Sequence, residues 1–124
     1  MPQLVLDIGN CGPDYAAIKR FLTTRFDCEV RQADSIADAL PKLAADDYAL
    51  VLVNRKLDID YSDGIEVIRQ LKANEATCNL PVMLVTNYPE HQDAAVEVGA
   101  LRGFGKLELG DPQVIERVAA VLNS

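Results

Sequence analysis

The sequence has few of the residues on which small proteins build covalent or metal-centred frameworks. Its 124 residues include no tryptophan, one histidine (His91) and three widely spaced cysteines, Cys11, Cys28 and Cys78. An odd number of separated cysteines predicts reduced thiols rather than a disulfide framework. One histidine with these thiols fits no zinc-ligand spacing. We therefore expect no metal centre, and reduced thiols predict a cytoplasmic location.

The sequence also has fewer basic than acidic residues. Twelve Lys and Arg against nineteen Asp and Glu give a formal net charge of −7 and an isoelectric point near 4.6. A surface of this sign repels phosphate backbones, which argues against direct binding of nucleic acid. No run approaches the roughly 20 apolar residues of a membrane helix, so no membrane partner is expected. Nor is there a signal-peptide pattern. A mean hydropathy of +0.03 is typical of one globular domain, residues 1–124.

Apolar runs and helical periodicities alternate along the chain. Strands are predicted at residues 3–8, 28–32, 48–53, 81–85 and 103–105. Helices are predicted at 13–26, from 34 or 35, from 64, at 90–98 and from 112, and Pro41 should kink the second. The run Tyr48–Val53 is continuously apolar, as in a parallel strand that is covered on both faces. Five such units predict an α/β protein with a doubly wound parallel sheet.

A functional site in such a sheet is expected at the carboxyl ends of the strands. The residues predicted at these ends are Gly9, Asn10, Asn54, Thr86 and Lys106. No glycine-rich phosphate loop of the dinucleotide or P-loop type accompanies them. We therefore expect no nucleotide cofactor.

Several segments around these positions carry a family resemblance. They are Val51–Asn54, Asp63–Ile68, Leu80–Thr86, Val98–Ala100 and Lys106. In this order and at nearly the family's spacing, they resemble the CheY-like receiver domain of two-component response regulators, over about residues 4–122. The resemblance implies a flavodoxin-like (βα)5 fold, strand order 2-1-3-4-5, with three layers. It also implies a signalling role and no enzymatic one.

The resemblance further implies phosphoryl transfer from a histidine kinase to an aspartate after the third strand, with an acidic pair that holds Mg²⁺. The acceptor position falls on Asn54, whose neutral amide is too weak a nucleophile to form an acyl phosphate. The acidic pair falls on Gly9 and Asn10, or in another register on Asp7. Because at most one carboxylate remains, we expect Mg²⁺ binding to be weak or absent. The chain is thus interpreted as a degenerate pseudo-receiver.

Two other family positions match, and one differs. Thr86 and Lys106 correspond to the residues that bind the phosphoryl group, whereas the aromatic residue that moves on activation is replaced by Gly103. Thr86 alternatively caps the turn after its strand. Because an unpaired buried cation is costly, Lys106 is either solvated or paired. The expected partners are Asp7, Asp58 and the carbonyl of Asn54.

These departures predict a phosphorylation-independent interaction module. Its partners would be a histidine kinase, an output domain or another regulator, and homodimerisation stays open. The family's contact face places these residues at the surface: Tyr88, Glu90, His91, Asp93, Glu97, Arg102 and Glu108. One alternative is a receiver that is phosphorylated on an unusual acid such as Asp58, in a loop about two residues longer than the family's. The other is a flavodoxin-like binder of a small ligand.

Overall fold

Five strands alternate with five helices, as the sequence predicts. A computed structural model describes residues 2–122. The strands are β1 (Gln3–Ile8), β2 (Cys28–Ala33), β3 (Leu50–Asn54), β4 (Val82–Val85) and β5 (Leu101–Phe104). The helices are α1 (Gly12–Arg25), α2 (Ile36–Ala45), α3 (Gly64–Ala73), α4 (Pro89–Glu97) and α5 (Pro112–Ala119), with a 3₁₀ helix at Lys106–Glu108. None of the described helices is long and apolar enough to cross a bilayer.

The strands form one parallel sheet in the order β2-β1-β3-β4-β5, which confirms the flavodoxin-like fold. The strand β1 pairs with β3 so that Asp7 lies opposite Leu52 and Ile8 opposite Val53. On the other side of β3, Asn54 pairs with Val85 of β4. Since all five strands run in one direction, the residues that follow them meet along one edge of the sheet.

Alternate residues of the strands enter two separate cores, because successive side chains of a strand point to opposite faces. Val51 and Val53 join α2 and α3 in one core, together with Ala95 of α4. Leu50 and Leu52 join α1 and α5 in the other. Burial on both faces explains why β3 reads as an unbroken apolar run. The result is the predicted three-layer arrangement.

Element ends differ from the sequence prediction where apolar patterning is weak. The strand β5 begins at Leu101 rather than Gly103, since Leu101 already pairs with Met83. This residue is exposed at the sheet edge and leaves little signal. The helix α2 includes Pro41, and Ser35 caps it by accepting a hydrogen bond from the Asp38 N–H (3.1 Å).

Candidate functional site

Three of the predicted site residues meet at the carboxyl ends of β3, β4 and β5. Asn54, Thr86 and Lys106 line one cavity of about 350 Å³, together with Tyr88 and His91. The parallel sheet brings them together from positions 54, 86 and 106 of the chain. Gly9 and Asn10 line a neighbouring cavity of about 390 Å³ on the other side of β3.

The carboxamide of Asn54 is held between two backbone carbonyls. Its Nδ2 donates to the carbonyl of Lys56 (2.7 Å) and, more weakly, to that of Gly9 (3.5 Å). The N-terminus of α3 lies directly beneath, where a Cβ on Gly64 would come within 2.0 Å of the Asn54 backbone oxygen. Glycine at position 64 is therefore required by this close approach. The loops after β1 and β3 are joined mainly by the hydrogen bond from the Asp58 N–H to the Gly9 carbonyl (2.8 Å), and the long Asn54 contact adds to it.

The only carboxylate of the β1 end is buried beneath this edge. Asp7 has no exposed surface, and its Oδ1 accepts a hydrogen bond from Asn10 Nδ2 (2.5 Å), while its Oδ2 has no partner. Loss of hydration raises the pKa of Asp7 from 3.8 to about 6, against the opposing effects of Asn10 and Lys106. Asn10 itself is 3% exposed. Asp7 and Asn10 thus form a carboxylate–amide pair, whereas Gly9 supplies only backbone.

Lys106 pairs with a carboxylate that the sequence analysis did not anticipate. Its Nζ lies 2.8 Å from Oδ2 of Asp14, in the first turn of α1. The predicted partners were Asp7, Asp58 and the carbonyl of Asn54, and this prediction is wrong. Oδ1 of Asp7 already accepts a hydrogen bond from Asn10, and Asp58 lines the neighbouring cavity that also contains Gly9 and Asn10. The hydrogen bond from Lys106 lowers the pKa of Asp14.

Thr86 closes the turn that leads into α4. Its Oγ1 accepts a hydrogen bond from the N–H of Tyr88 (3.3 Å) and lies 3.4 Å from Nδ1 of His91. The side chain is 8% exposed. This geometry agrees with the capping alternative and leaves the hydroxyl at the rim of the cavity it shares with Asn54.

The switch-aromatic position has no room for a side chain. A Cβ at Gly103 would lie 2.3 Å from the carbonyl oxygen of Leu84 in β4. Its N–H donates to Oε1 of Gln92 (2.8 Å), and its carbonyl accepts a hydrogen bond from Arg117. Gly103 therefore binds β5 to β4, α4 and α5 through its backbone. No residue with a side chain fits there without displacing β4.

Gln92 is a buried polar residue next to the candidate site that no sequence pattern predicts. It is 5% exposed, and its Nε2 donates to the carbonyls of Leu84 (2.9 Å) and Thr86 (3.3 Å). Together with the bond from Gly103, it joins α4 to both strands. A polar residue among the acidic residues of a short helix gives no pattern that marks it as buried.

Removal of the Gln92 carboxamide is expected to lower the stability of the fold. We expect Gln92→Leu to lower the free energy of unfolding by about 2 kcal/mol, because the buried N–H of Gly103 and carbonyl of Leu84 lose their partner. Gln70→Leu on the exposed face of α3 is the control, with an expected change within about 0.5 kcal/mol. Urea denaturation measures both. Equal effects of the two substitutions would contradict the bridging role.

The predicted contact face combines acidic groups with exposed apolar side chains. Tyr88 is 60% and Leu107 86% exposed, and Tyr88 packs edge-on against His91 (5.4 Å between ring centroids). Arg102 forms an ion pair with Asp93. The exposed or half-buried acids of this face are Glu90, Asp93, Glu97 and Glu108. The exposure of Leu107, where the family has proline, was not anticipated.

The residues at the strand ends do not fit a divalent cation. Within residues 2–122, no group of three or more His, Cys, Asp or Glu side chains is placed to hold a metal. Hard cations require several oxygen ligands. Here the carbonyls of Gly9 and Lys56 already accept hydrogen bonds from the Asn54 amide. The only carboxylate at the end of β1 is buried against Asn10. We therefore derive no step through Mg²⁺.

The strand order and the convergence of side chains at the strand ends define a flavodoxin-like α/β protein with its site at the carboxyl edge of the sheet. Residues 14–107 match the sequence profile of the response regulator receiver domain. The chain belongs to this family and is a receiver domain of two-component signalling.

Solved structures agree with the fold. A protein of Chloroflexus aurantiacus J-10-fl described as a response regulator superposes with a TM-score of 0.84 at 20% identity, over 100% of both chains. The chemotaxis protein CheY4 of Vibrio cholerae gives 0.71 at 17% identity, over 97% of this chain and 95% of that one. The Mn²⁺-bound response regulator Rcp1 gives 0.70 at 18%, over 97% and 91%. No curated protein matches the chain in sequence.

Proposed function

We propose that this receiver domain acts as a phosphorylation-independent interaction module. The observation that carries the proposal is Asn54. At the acceptor position it offers a neutral amide, and the Nδ2 of this amide donates to the carbonyls of Lys56 and Gly9. Phosphoryl transfer needs an anionic nucleophile whose surroundings neutralise the developing charge. Neither requirement is met at Asn54.

The same amide supports a single fixed conformation of the site. In place of a cation, the Asp58 N–H joins the loop after β3 to the carbonyl of Gly9 (2.8 Å), and the Nδ2 group of Asn54 lies 3.5 Å from the same carbonyl. Lys106 is engaged with Asp14, and Thr86 with the turn before α4. The phosphoryl-binding positions therefore have protein partners already. A partner protein would act through its differential affinity for conformations of the domain rather than through phosphate.

The contact face points to the chemistry of the partner. The face carries the exposed Tyr88 and Leu107 together with four acidic side chains, of which Asp93 is paired with Arg102, so a complementary surface would carry basic groups and an apolar pocket. A histidine kinase, an output domain or another regulator is the class of partner that we propose. A second copy of this acidic chain is the less suitable occupant for the same face, because like charges would meet.

Treatment with acetyl phosphate tests the proposal directly. We expect intact-mass spectrometry to detect no added phosphoryl group on the wild type with Mg²⁺, because no activated carboxylate is present. Asn54→Asp alone should also remain unmodified, because the acidic pair of the β1 end would still be incomplete. A receiver with an intact acceptor aspartate serves as the positive control.

One outcome would overturn this proposal, and a second would overturn only the interpretation of the metal site. Addition of a phosphoryl group to the wild type, mapped to Asp58, would support the alternative acceptor. Efficient Mg²⁺-dependent modification of Asn54→Asp would show that Asp7 and the first loop supply enough metal ligands after all.

A further inference from the structure

One cavity of the molecule is lined by two basic side chains. It lies between α1 and the turn at Leu109 and Gly110, and its volume is about 550 Å³. Arg20 and Arg25 line it, and no carboxylate of the described residues does. In a chain with 19 acidic and 12 basic residues, two arginines without acids make a local exception. This charge favours an anionic ligand.

The two guanidinium groups retain most of their donors. The ion pairs among residues 2–122 involve other basic residues. Arg25 Nη1 makes one long hydrogen bond to the carbonyl of Phe21 (3.4 Å), and its guanidinium lies 4.9 Å from the Phe21 ring centroid. Arg20 has no side-chain partner in the same range. Because each guanidinium carries five N–H donors, both can bind an external anion.

Apart from Thr24, whose hydroxyl donates to the carbonyl of Arg20, the remainder of the cavity lining is apolar. The exposed Ala16 and Ala17 and the buried Phe21 line the cavity on the side of α1, and Leu109 lines it on the side of the turn. Pockets of about 300–1,000 Å³ with apolar walls and few polar groups are typical of small-molecule sites. The arginines lie in the same lining as these apolar residues. The occupant should therefore have both an anionic group and a hydrocarbon part.

We propose that this cavity binds an amphipathic anion, a molecule with an apolar body and a carboxylate or phosphate head. Arg20 and Arg25 would contact the head, since a guanidinium can give two parallel hydrogen bonds to either group. The body would lie along Ala16 and Ala17 and against Leu109. None of the residues that line the cavity belongs to the contact face, although Leu109 directly follows Glu108 of that face, and ligand binding here does not depend on that face's role.

Four probes of equal chain length test the class of ligand on the full chain: octanoate, octyl phosphate, octanol and octylammonium. In ¹⁵N NMR titrations we expect saturable shifts of the Ala16, Ala17 and Gly110 amides with the anions alone. The two anionic arms distinguish a carboxylate from a phosphate ligand. Equal responses to all four probes, or no saturable response to either anion, would overturn the proposal.

Variants separate this site from general electrostatics. Arg20→Gln should weaken binding of the preferred anion about tenfold, equivalent to about 1.4 kcal/mol. Lys19→Gln makes the same charge change on the same helix outside the cavity lining, and we expect affinity within about twofold of wild type. Ala17→Leu keeps both arginines and should block binding by filling the space. Equal loss in Lys19→Gln and Arg20→Gln, or full affinity in Ala17→Leu, would contradict the site.

Discussion

Replacing Asp7 by asparagine is expected to raise the free energy of unfolding at pH 8 by about 2–3 kcal/mol. Burial raises the pKa of Asp7 from 3.8 to about 6. Each pKa unit corresponds to about 1.4 kcal/mol between protonation states, so the ionised carboxylate destabilises the fold by about this amount. Asparagine carries no charge and still accepts the hydrogen bond from Asn10 through its Oδ1. Its NH2 group replaces Oδ2, which has no partner in the wild type. The gain from removing the charge must therefore exceed the cost of burying these N–H donors without an acceptor.

The sign of the effect follows from proton binding. Because the folded state holds the Asp7 proton more tightly than the unfolded state, this residue stabilises the protein below about pH 4. That stabilisation is lost as the pH rises through about 6. The difference in unfolding free energy between Asp7→Asn and wild type should therefore grow from pH 4 to pH 7 and then stay constant. Urea denaturation at each pH measures it.

Asp14→Asn supplies a control of opposite sign. The hydrogen bond from Lys106 lowers the pKa of Asp14, so its carboxylate stabilises the fold at neutral pH. We expect this variant to lose a small amount of stability at pH 7, because the Lys106 pair is partly exposed. The difference should disappear as the pH falls. If Asp7→Asn instead lost stability at pH 8, the Asp7 carboxylate would be stabilised by Lys106 more than burial destabilises it.

The fold was predictable because its sheet is covered on both faces. The uninterrupted apolar run that ends at Val53 is the physical consequence of that burial, and the glycines and prolines between runs mark the turns. Alternation of strands and helices then leaves few topologies. Leu101 shows the limit, because an exposed edge residue contributes a backbone pair and no apolar pattern.

The sequence predicts where the residues of the candidate site lie, but it does not predict which atoms they contact. Parallel strands place Asn54, Thr86 and Lys106 at one edge whatever the loops do, and these residues do line one cavity. The pairing of Lys106 with Asp14 depends on how α1 packs and on the burial of Asp7, which no local pattern encodes. Gln92 was not predicted for the same reason, since its partners are backbone atoms of β4 and β5, the strands before and after its helix.

Gly103→Ala is expected to destabilise the protein by about 3 kcal/mol, the upper end of the usual penalty for overpacking a core site. The added Cβ would lie 2.3 Å from the Leu84 carbonyl oxygen and 3.1 Å from the Cβ of Met83. Both neighbours belong to the buried strand β4, which cannot move without disturbing β3. Gly12→Ala is the matched control, because nothing lies within 4 Å of a Cβ there. Its expected change is within about 0.5 kcal/mol.

The result also bears on whether this receiver switches. If Gly103→Ala were as stable as wild type in urea denaturation, β5 would have to shift away from β4 at low energy. Such mobility is what a receiver that changes conformation at this position requires, and it would contradict a fixed state. A large loss of stability, with Gly12→Ala unaffected, means that β5 cannot move away from β4 at low energy to make room for the Cβ.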